Sequence, residues 1–248
     1  MNAYLTTAKV AELCRTSPDT VRYWRFIGKG PASFRVGRRV LYEVGVVEAW
    51  LQQLQLKDSC RQQADRWCTE IWGDRQGWAL AVLGHGPTLR ASKYAHSRFE
   101  TRPYAWPKDR NRLLSELLPL ANVCDVYVAP LLRSAPNRRE KDSEPLPGRH
   151  VWLDADEWDA ERQQVLLALE APVLRVTSGG QPGKMHLYVD AGELLPGQTI
   201  TDMARMLSRD CRTDTHGGSN KLLRLPGTKN HKPTVVGLPS SDVVILER

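Results

Sequence analysis

The 248-residue sequence lacks the features that mark several protein classes. Its cysteines are odd in number and form no Cys-x-x-Cys pair, which argues against a disulfide framework and against a structural zinc module. No apolar run is long enough to span a bilayer, no signal-peptide core stands at the start, and no Walker A sequence occurs. We therefore expect a cytoplasmic protein with no membrane partner and no P-loop helicase in this sequence.

Positive charge is in surplus, with 35 Lys and Arg against 28 Asp and Glu and a formal net charge of +7. Residues 1–58 share this surplus, with nine basic residues against five acidic ones. Such a balance favours a polyanionic partner such as nucleic acid. The length allows more than one domain.

The first 58 residues predict two short helices followed by a hairpin. Ser17 can cap the second helix, with Pro18 at its first position. Gly37-Arg38 separates two short stretches of strand-forming residues, which predicts a hairpin, or wing. Two short helices joined by a tight turn form a helix-turn-helix.

Seven basic residues lie on or near this second helix and the hairpin. They are Arg15, Arg22, Arg25, Lys29, Arg35, Arg38 and Arg39. Arginine in such places contacts phosphates and the guanine edges exposed in a major groove. We predict that these residues bind duplex DNA; the alternative is an arginine-rich solvated surface.

The middle of the sequence predicts a helical connector over 59–74 and a second domain over 75–248. Gly84–Pro87 is predicted as a turn, and Arg133–Gly148 as a flexible polar loop. Residues 90–112 are rich in basic and aromatic side chains. This composition suits a track for single-stranded nucleic acid; the alternative is a helix over Lys108–Leu118 that presents its basic face to solvent.

A pair of carboxylates follows the apolar run Val151–Leu153. In a strand, Asp154 and Asp156 project to the same side. Two carboxylates there can hold Mg²⁺ or Mn²⁺. Taken alone, the pattern also fits an ordinary strand that ends in a solvated acidic turn.

Two further stretches carry polar residues suited to phosphate. Ser178-Gly179-Gly180 joins two predicted strands, and His186 stands on the second one. Glycines let backbone N–H groups approach a phosphate, although the same residues fit a plain hairpin. Later, Arg224 and Lys229 flank a predicted Pro-Gly turn. Asp214, or Asp210 as the alternative, precedes them and is a possible third acid.

Both parts of the sequence resemble known families. Leu5–Ala11, Thr20–Trp24 and the Gly37-Arg38-Arg39 wing resemble the winged helix-turn-helix of excisionases and mercury-resistance regulators. The order Asp154-x-Asp156, Ser178-Gly-Gly with His186-x-Tyr188, then an acid ahead of Arg224-x-Pro226-Gly227 resembles the archaeo-eukaryotic primase superfamily. The closest variety is the primase-polymerases of plasmids, phages and integrated elements.

This resemblance implies an α+β fold. The winged helix comes first in the sequence and is followed by a domain with an RNA-recognition-like antiparallel sheet and a smaller α/β lobe. It implies that Asp154, Asp156 and Asp214 are catalytic and bind Mg²⁺ or Mn²⁺. It also implies that Ser178, His186, Arg224 and Lys229 bind the incoming nucleotide, although the Ser178–His186 spacing is longer than the family's compact motif.

The expected reaction is nucleotidyl transfer from a nucleoside triphosphate to a 3′-hydroxyl on a single-stranded template, with a separate helicase as a further partner. Alternatives are an inactive replication initiator or regulator with the same fold, and an end-joining repair polymerase.

Overall fold

The computed structural model describes residues 3–90, 93–137, 142–178, 183–214 and 218–246. Its α-helices are α1 Thr7–Leu13, α2 Pro18–Phe26, α3 Val44–Trp72, α4 Arg110–Leu120, α5 Ala160–Leu167 and α6 Gly197–Asp210. Its strands are β1 Tyr4–Thr6, β2 Phe34–Val36, β3 Arg39–Glu43, β4 Gly77–Arg90, β5 Lys93–Trp106, β6 Asp125–Val128, β7 Gly148–Ala155, β8 Val173–Thr177, β9 Met185–Leu195, β10 Leu223–Arg224, β11 Thr228–Asn230, β12 Ser241–Val243 and β13 Ile245–Leu246. A 3₁₀ helix covers Lys232–Val236.

The chain divides into two compact units, Met1–Ser59 and Cys60–Arg248, and the division falls within α3. The domain limits drawn from the sequence, 1–58, 59–74 and 75–248, stay a prediction. Within the described ranges, no helix is long and apolar enough to cross a membrane.

The smaller unit has the predicted helix-turn-helix and hairpin. The hydroxyl of Ser17 accepts a hydrogen bond from the Thr20 amide at 3.1 Å, so it caps α2, which begins at Pro18. The hairpin of β2 and β3 turns at Gly37, whose φ of 59° suits glycine, and β1 completes an antiparallel sheet. The buried core of this unit consists of Val10, Ala11, Val21, Tyr42 and Val47.

The larger unit contains two four-stranded antiparallel sheets, in the orders β10-β6-β4-β5 and β13-β8-β9-β7. One hydrophobic core joins them. Trp67 of α3 packs edge-on against Trp72 and Tyr188, at ring-centroid distances of 5.0 and 5.6 Å, and Trp72 packs on Trp106 at 5.1 Å. Because Trp106 belongs to β5 and Tyr188 to β9, the end of α3 packs against both sheets.

One local prediction is wrong. Gly84–Pro87 is not a turn but part of β4, which pairs with β5 from Gly77↔Trp106 to Arg90↔Lys93. A Cβ on Gly84 would lie 2.5 Å from the His96 ring, so this glycine permits close packing inside a strand. Residues 93–106 form strand β5, and the helix predicted over 108–118 is present as α4, Arg110–Leu120.

The segment after Arg133 has little regular secondary structure where it is described, but hydrogen bonds attach it to the rest of the unit. Arg133 is fully buried, and its backbone exchanges hydrogen bonds with Trp78 at 2.8 and 2.9 Å. Its guanidinium also donates to the carbonyl of Ser143. A buried arginine needs such acceptors, which hold the two ends of the segment together. Residues 138–141 lie outside the described residues.

Candidate active site

Sheet register places the first acid beside the histidine of the second motif. Asp154 is the penultimate residue of β7, and its Cα partner on β9 is His186. The Oδ1 atom of Asp154 lies 3.7 Å from Nε2 of His186. His186 in turn pairs with Val176 of β8. The two motifs, separated by about thirty residues, therefore meet on neighbouring strands.

The structure brings Asp214 to the same place. The Asp214 amide donates to the Asp154 carbonyl at 3.1 Å. The Lys221 ammonium lies 2.8 Å from Oδ2 of Asp154 and 3.0 Å from Oδ2 of Asp214. Burial by itself lowers the pKa of Lys221, but the two carboxylates outweigh it and raise that pKa. Asp210, the alternative third acid, ends α6 and lines a groove with Met203 and Met206.

Asp156 stands one residue beyond the end of β7 and takes a different partner. Its Oδ1 lies 3.2 Å from the ammonium of Lys184, and its side chain is largely exposed. The two aspartates of the first motif thus contact different lysines. Within the described ranges, no three His, Cys, Asp or Glu side chains are gathered closely enough to hold a metal ion.

The two carboxylates nevertheless fit a divalent cation. Asp154 and Asp214 face one common positive group, and Mg²⁺ is usually held by one or two carboxylates together with substrate phosphates. Their hard oxygen donors suit Mg²⁺ or Mn²⁺. The Lys221 ammonium therefore marks a position with the charge environment of a cation site.

The second motif presents a buried histidine. His186 is 3% exposed, and burial lowers its pKa to about 4 although the charge of Asp154 acts in the opposite direction. The ring is therefore neutral near pH 7 and can donate one hydrogen bond. Its Nδ1 has no hydrogen-bond partner among the described residues.

Ser178 directly follows β8, the strand that pairs with the strand of His186. Its amide donates to the carbonyl of Lys184 at 3.1 Å, and its carbonyl accepts from the side chain of Asn230 at 2.8 Å. These bonds fix the backbone of Ser178 directly after β8. Residues 179–182, which the sequence predicts as a glycine-rich turn, lie outside the described residues.

A buried acid that sequence analysis missed holds Arg224. Asp125 of β6 is fully buried and accepts from the Nε atoms of His96 and Arg224, at 2.9 and 3.2 Å. It also accepts from the Tyr94 hydroxyl and from the His231 amide. Burial alone raises the pKa of Asp125, but these partners lower it to about 2. The available signal was an aspartate inside the apolar run Cys124–Pro130.

Arg224 is fixed on a second side by an aromatic ring. Its guanidinium lies 5.0 Å from the centre of the Tyr127 ring and donates to the Tyr127 hydroxyl at 3.1 Å. The charge of Arg224 contributes to the lowered pKa of His186, so the two groups are within electrostatic reach. Lys229 stands on β11, where its Cα pairs with Asp242 of β12.

In the smaller unit, six of the seven predicted DNA-binding residues are exposed. Arg25 is half-buried, whereas Arg15, Arg22, Lys29, Arg35, Arg38 and Arg39 are open to solvent. Arg22 donates to Asp19 one turn earlier on α2. Tyr23 and Phe26 of the same helix are 59% and 86% exposed. Tyr23 and Phe26 are therefore surface residues of α2.

Known proteins resemble this chain in two respects, its helix-turn-helix and its overall fold. Residues 4–55 match the family model of a helix-turn-helix domain. The crystal structure of primase RepB′ aligns with a TM-score of 0.51 at 16% identity over 76% of this chain. The match spans only 56% of that primase's length. No curated protein matches this sequence.

Two further structures give the same result. The catalytic domain of primase RepB′ in complex with initiator DNA aligns with a TM-score of 0.51, at 17% identity, over 76% of this chain and 85% of that one. The archaeo-eukaryotic primase domain of the cyanophage S-2L primase-polymerase aligns at 0.50 and 15% identity, over 75% and 89%. The predicted fold, a helix-turn-helix followed by a primase-polymerase architecture, is confirmed.

Proposed function

We propose that this protein is a metal-dependent DNA primase-polymerase of a mobile genetic element, brought to duplex DNA by its N-terminal unit. The observation that carries the proposal is the meeting of Asp154, Asp214 and His186 on a primase-like fold. The reaction is transfer of a nucleotidyl group from an NTP or dNTP to a 3′-hydroxyl. A separate helicase and a cytoplasmic location complete the proposal.

Asp154 and Asp214 would hold the divalent metal, and Asp156 would join them by leaving Lys184. Such a metal, when bound, supplies charge neutralisation on the triphosphate and a more acidic 3′-hydroxyl. The backbone positions of both carboxylates are fixed in advance. Asp154 is held by the β7–β9 pairing, and the Asp214 amide donates to the Asp154 carbonyl.

The other residues would bind the triphosphate. His186 is neutral and buried, so it donates a directed hydrogen bond to a phosphate oxygen without adding charge. Arg224 supplies a positive charge that the Asp125 and Tyr127 contacts hold in place. Ser178 adds a hydroxyl, and Lys229 adds a further cation.

The direct test is incorporation on a primed single-stranded template. We expect the purified chain to extend the primer when Mn²⁺ or Mg²⁺ and nucleotides are present, and to stop when the metal is chelated. Extension without metal would contradict the metal dependence. Binding of the template with no incorporation under any metal would favour the inactive replication initiator.

Replacement of His186 by alanine should raise the KM for the nucleotide about ten- to a hundredfold. The reason is that a hydrogen bond to a charged phosphate is worth about 1.5–3 kcal/mol. The measurement is a nucleotide titration at saturating Mn²⁺, with the metal dependence recorded alongside. His85→Ala is the matched control, because His85 contacts Glu100 on the β4–β5 hairpin. Overlapping curves for wild type and His186→Ala would remove His186 from the nucleotide site.

Replacement of Arg22 by alanine should weaken duplex binding by about 1–3 kcal/mol if Arg22 contacts a base. Arg22 is exposed and is held by Asp19, so Asp19→Asn should have the opposite effect by releasing the arginine and removing a negative charge. Both variants are compared with wild type by fluorescence anisotropy on a labelled duplex, at two salt concentrations. Equal, salt-insensitive binding by all three proteins would contradict a DNA-binding surface on α2.

A further inference from the structure

Lys221 contacts both carboxylates that the proposed function assigns to the metal. Its ammonium lies 2.8 Å from Asp154 and 3.0 Å from Asp214, and its own side chain is only 11% exposed. Neither acid is its neighbour in sequence. An exposed lysine would gain little from such pairs, whereas a largely buried ammonium between two acids is held by both of them.

The ammonium and a divalent ion compete for the same oxygens. A magnesium ion lies about 2.1 Å from each oxygen ligand. A lysine ammonium that touches both carboxylates at hydrogen-bond distance occupies the space between them, and like charges that close repel strongly. The metal therefore binds there only when Lys221 has moved away.

The displaced ammonium needs a new anion. Two carboxylates and one ammonium leave a net charge of −1, while two carboxylates and a divalent metal are neutral. The charges of Lys221 and Arg224 both act on His186, where the proposed function places the triphosphate, so phosphate oxygens are within the range of the released ammonium. The flexible four-carbon stem of lysine permits this change of partner, and phosphate oxygens are strong acceptors for it.

We propose that Lys221 is the internal counter-ion of Asp154 and Asp214, which the metal displaces and which then pairs with the phosphates of the incoming nucleotide. This inference rests on the proposed function, since it takes the metal and the nucleotide from it. It makes metal binding and nucleotide binding cooperative, because each one favours the released position of Lys221.

The test is Mn²⁺ binding to the full chain without nucleotide, measured from the EPR signal of the free ion. Lys221→Met keeps the length of the side chain and removes its charge. We expect Mn²⁺ to bind this variant about five- to a hundredfold more tightly than wild type, the usual range of coupling between two ligands. Arg149→Gln is the control. It also removes one positive charge, from the strand that carries Asp154, but about 16 Å away from that carboxylate. Its Mn²⁺ affinity should equal that of wild type.

A second measurement separates this role from a purely structural one. At saturating Mn²⁺, a non-hydrolysable nucleotide should bind Lys221→Met about tenfold more weakly than wild type, so the two affinities change in opposite directions. Lys221→Gln repeats both measurements where the methionine variant does not fold.

Three results would overturn the inference or its basis. Unchanged or weaker Mn²⁺ binding by the folded uncharged variants would overturn the inference alone. Unchanged nucleotide binding would overturn the transfer of Lys221 to phosphate. Absence of Mn²⁺ binding by wild type and every variant would overturn the metal dependence of the proposed function, and the inference with it.

Discussion

Replacement of both Asp154 and Asp156 by alanine is expected to abolish nucleotide incorporation, with a loss of about a thousandfold or more, while duplex binding is retained. Electrostatic groups aimed at a reacting phosphate are commonly worth about a hundred- to a thousandfold each. The fold should survive, because Asp156 is largely exposed and Lys221 keeps Asp214 as a partner.

The measurement is primer extension at saturating nucleotide and Mn²⁺, with circular dichroism to verify the fold. Asp202→Ala is the matched control, since Asp202 lies on α6 in a solvent-exposed pair with Arg205. Full incorporation by the double variant would remove the first motif from catalysis and leave the primase fold without its proposed reaction.

Replacement of Asp125 by asparagine is expected to lower the free energy of unfolding by about 2–4 kcal/mol, because it leaves the buried Arg224 without its charged partner. The pKa of Asp125 is about 2 in the folded protein against an ordinary value of 3.8. Its ionised form therefore stabilises the fold above about pH 4, and this contribution, roughly 2 kcal/mol, is lost as the pH falls toward 2.

Denaturant unfolding at several pH values between 7 and 3 tests this prediction. The difference between wild type and Asp125→Asn should be constant down to about pH 4 and then shrink, since the unfolded carboxylate takes up its proton first. Asp202→Asn should change stability by less than about 0.5 kcal/mol at every pH, as expected for an exposed pair. An equal stability of wild type and Asp125→Asn at pH 7 would contradict the role of Asp125.

The sequence predicted well those features that depend on neighbouring residues. The N-terminal cap of α2, the β2–β3 hairpin and the two strands on either side of Ser178 all follow from local residue types. The choice of Asp214 over Asp210 agrees with its contact with Asp154. The assignment of the site residues to catalysis and binding itself stays a prediction.

Features that depend on distant residues were missed. Gly84 suggested a turn because glycine often marks one, whereas here it makes room for the His96 ring, a requirement set by another strand. The polar composition around Arg133 suggested a flexible loop. In the structure this arginine is buried, and its guanidinium donates to a backbone carbonyl that no local sequence pattern reveals. No local pattern distinguishes Lys221, and only the tertiary structure connects it to two acids.

The contacts of Asp125 also have a consequence for the order in which the chain folds. Its partners Arg224 and His231 follow it by 99 and 106 residues. A nascent chain that has emerged only as far as β9 has the carboxylate and its neighbours on β5 but not the arginine that neutralises it. The buried carboxylate of the first sheet therefore lacks its arginine partner until β10 has been synthesised. Contacts between residues so far apart in sequence form slowly compared with local strand pairing. Emergence of β10 and His231 from the ribosome is thus required before Asp125 has all of its partners.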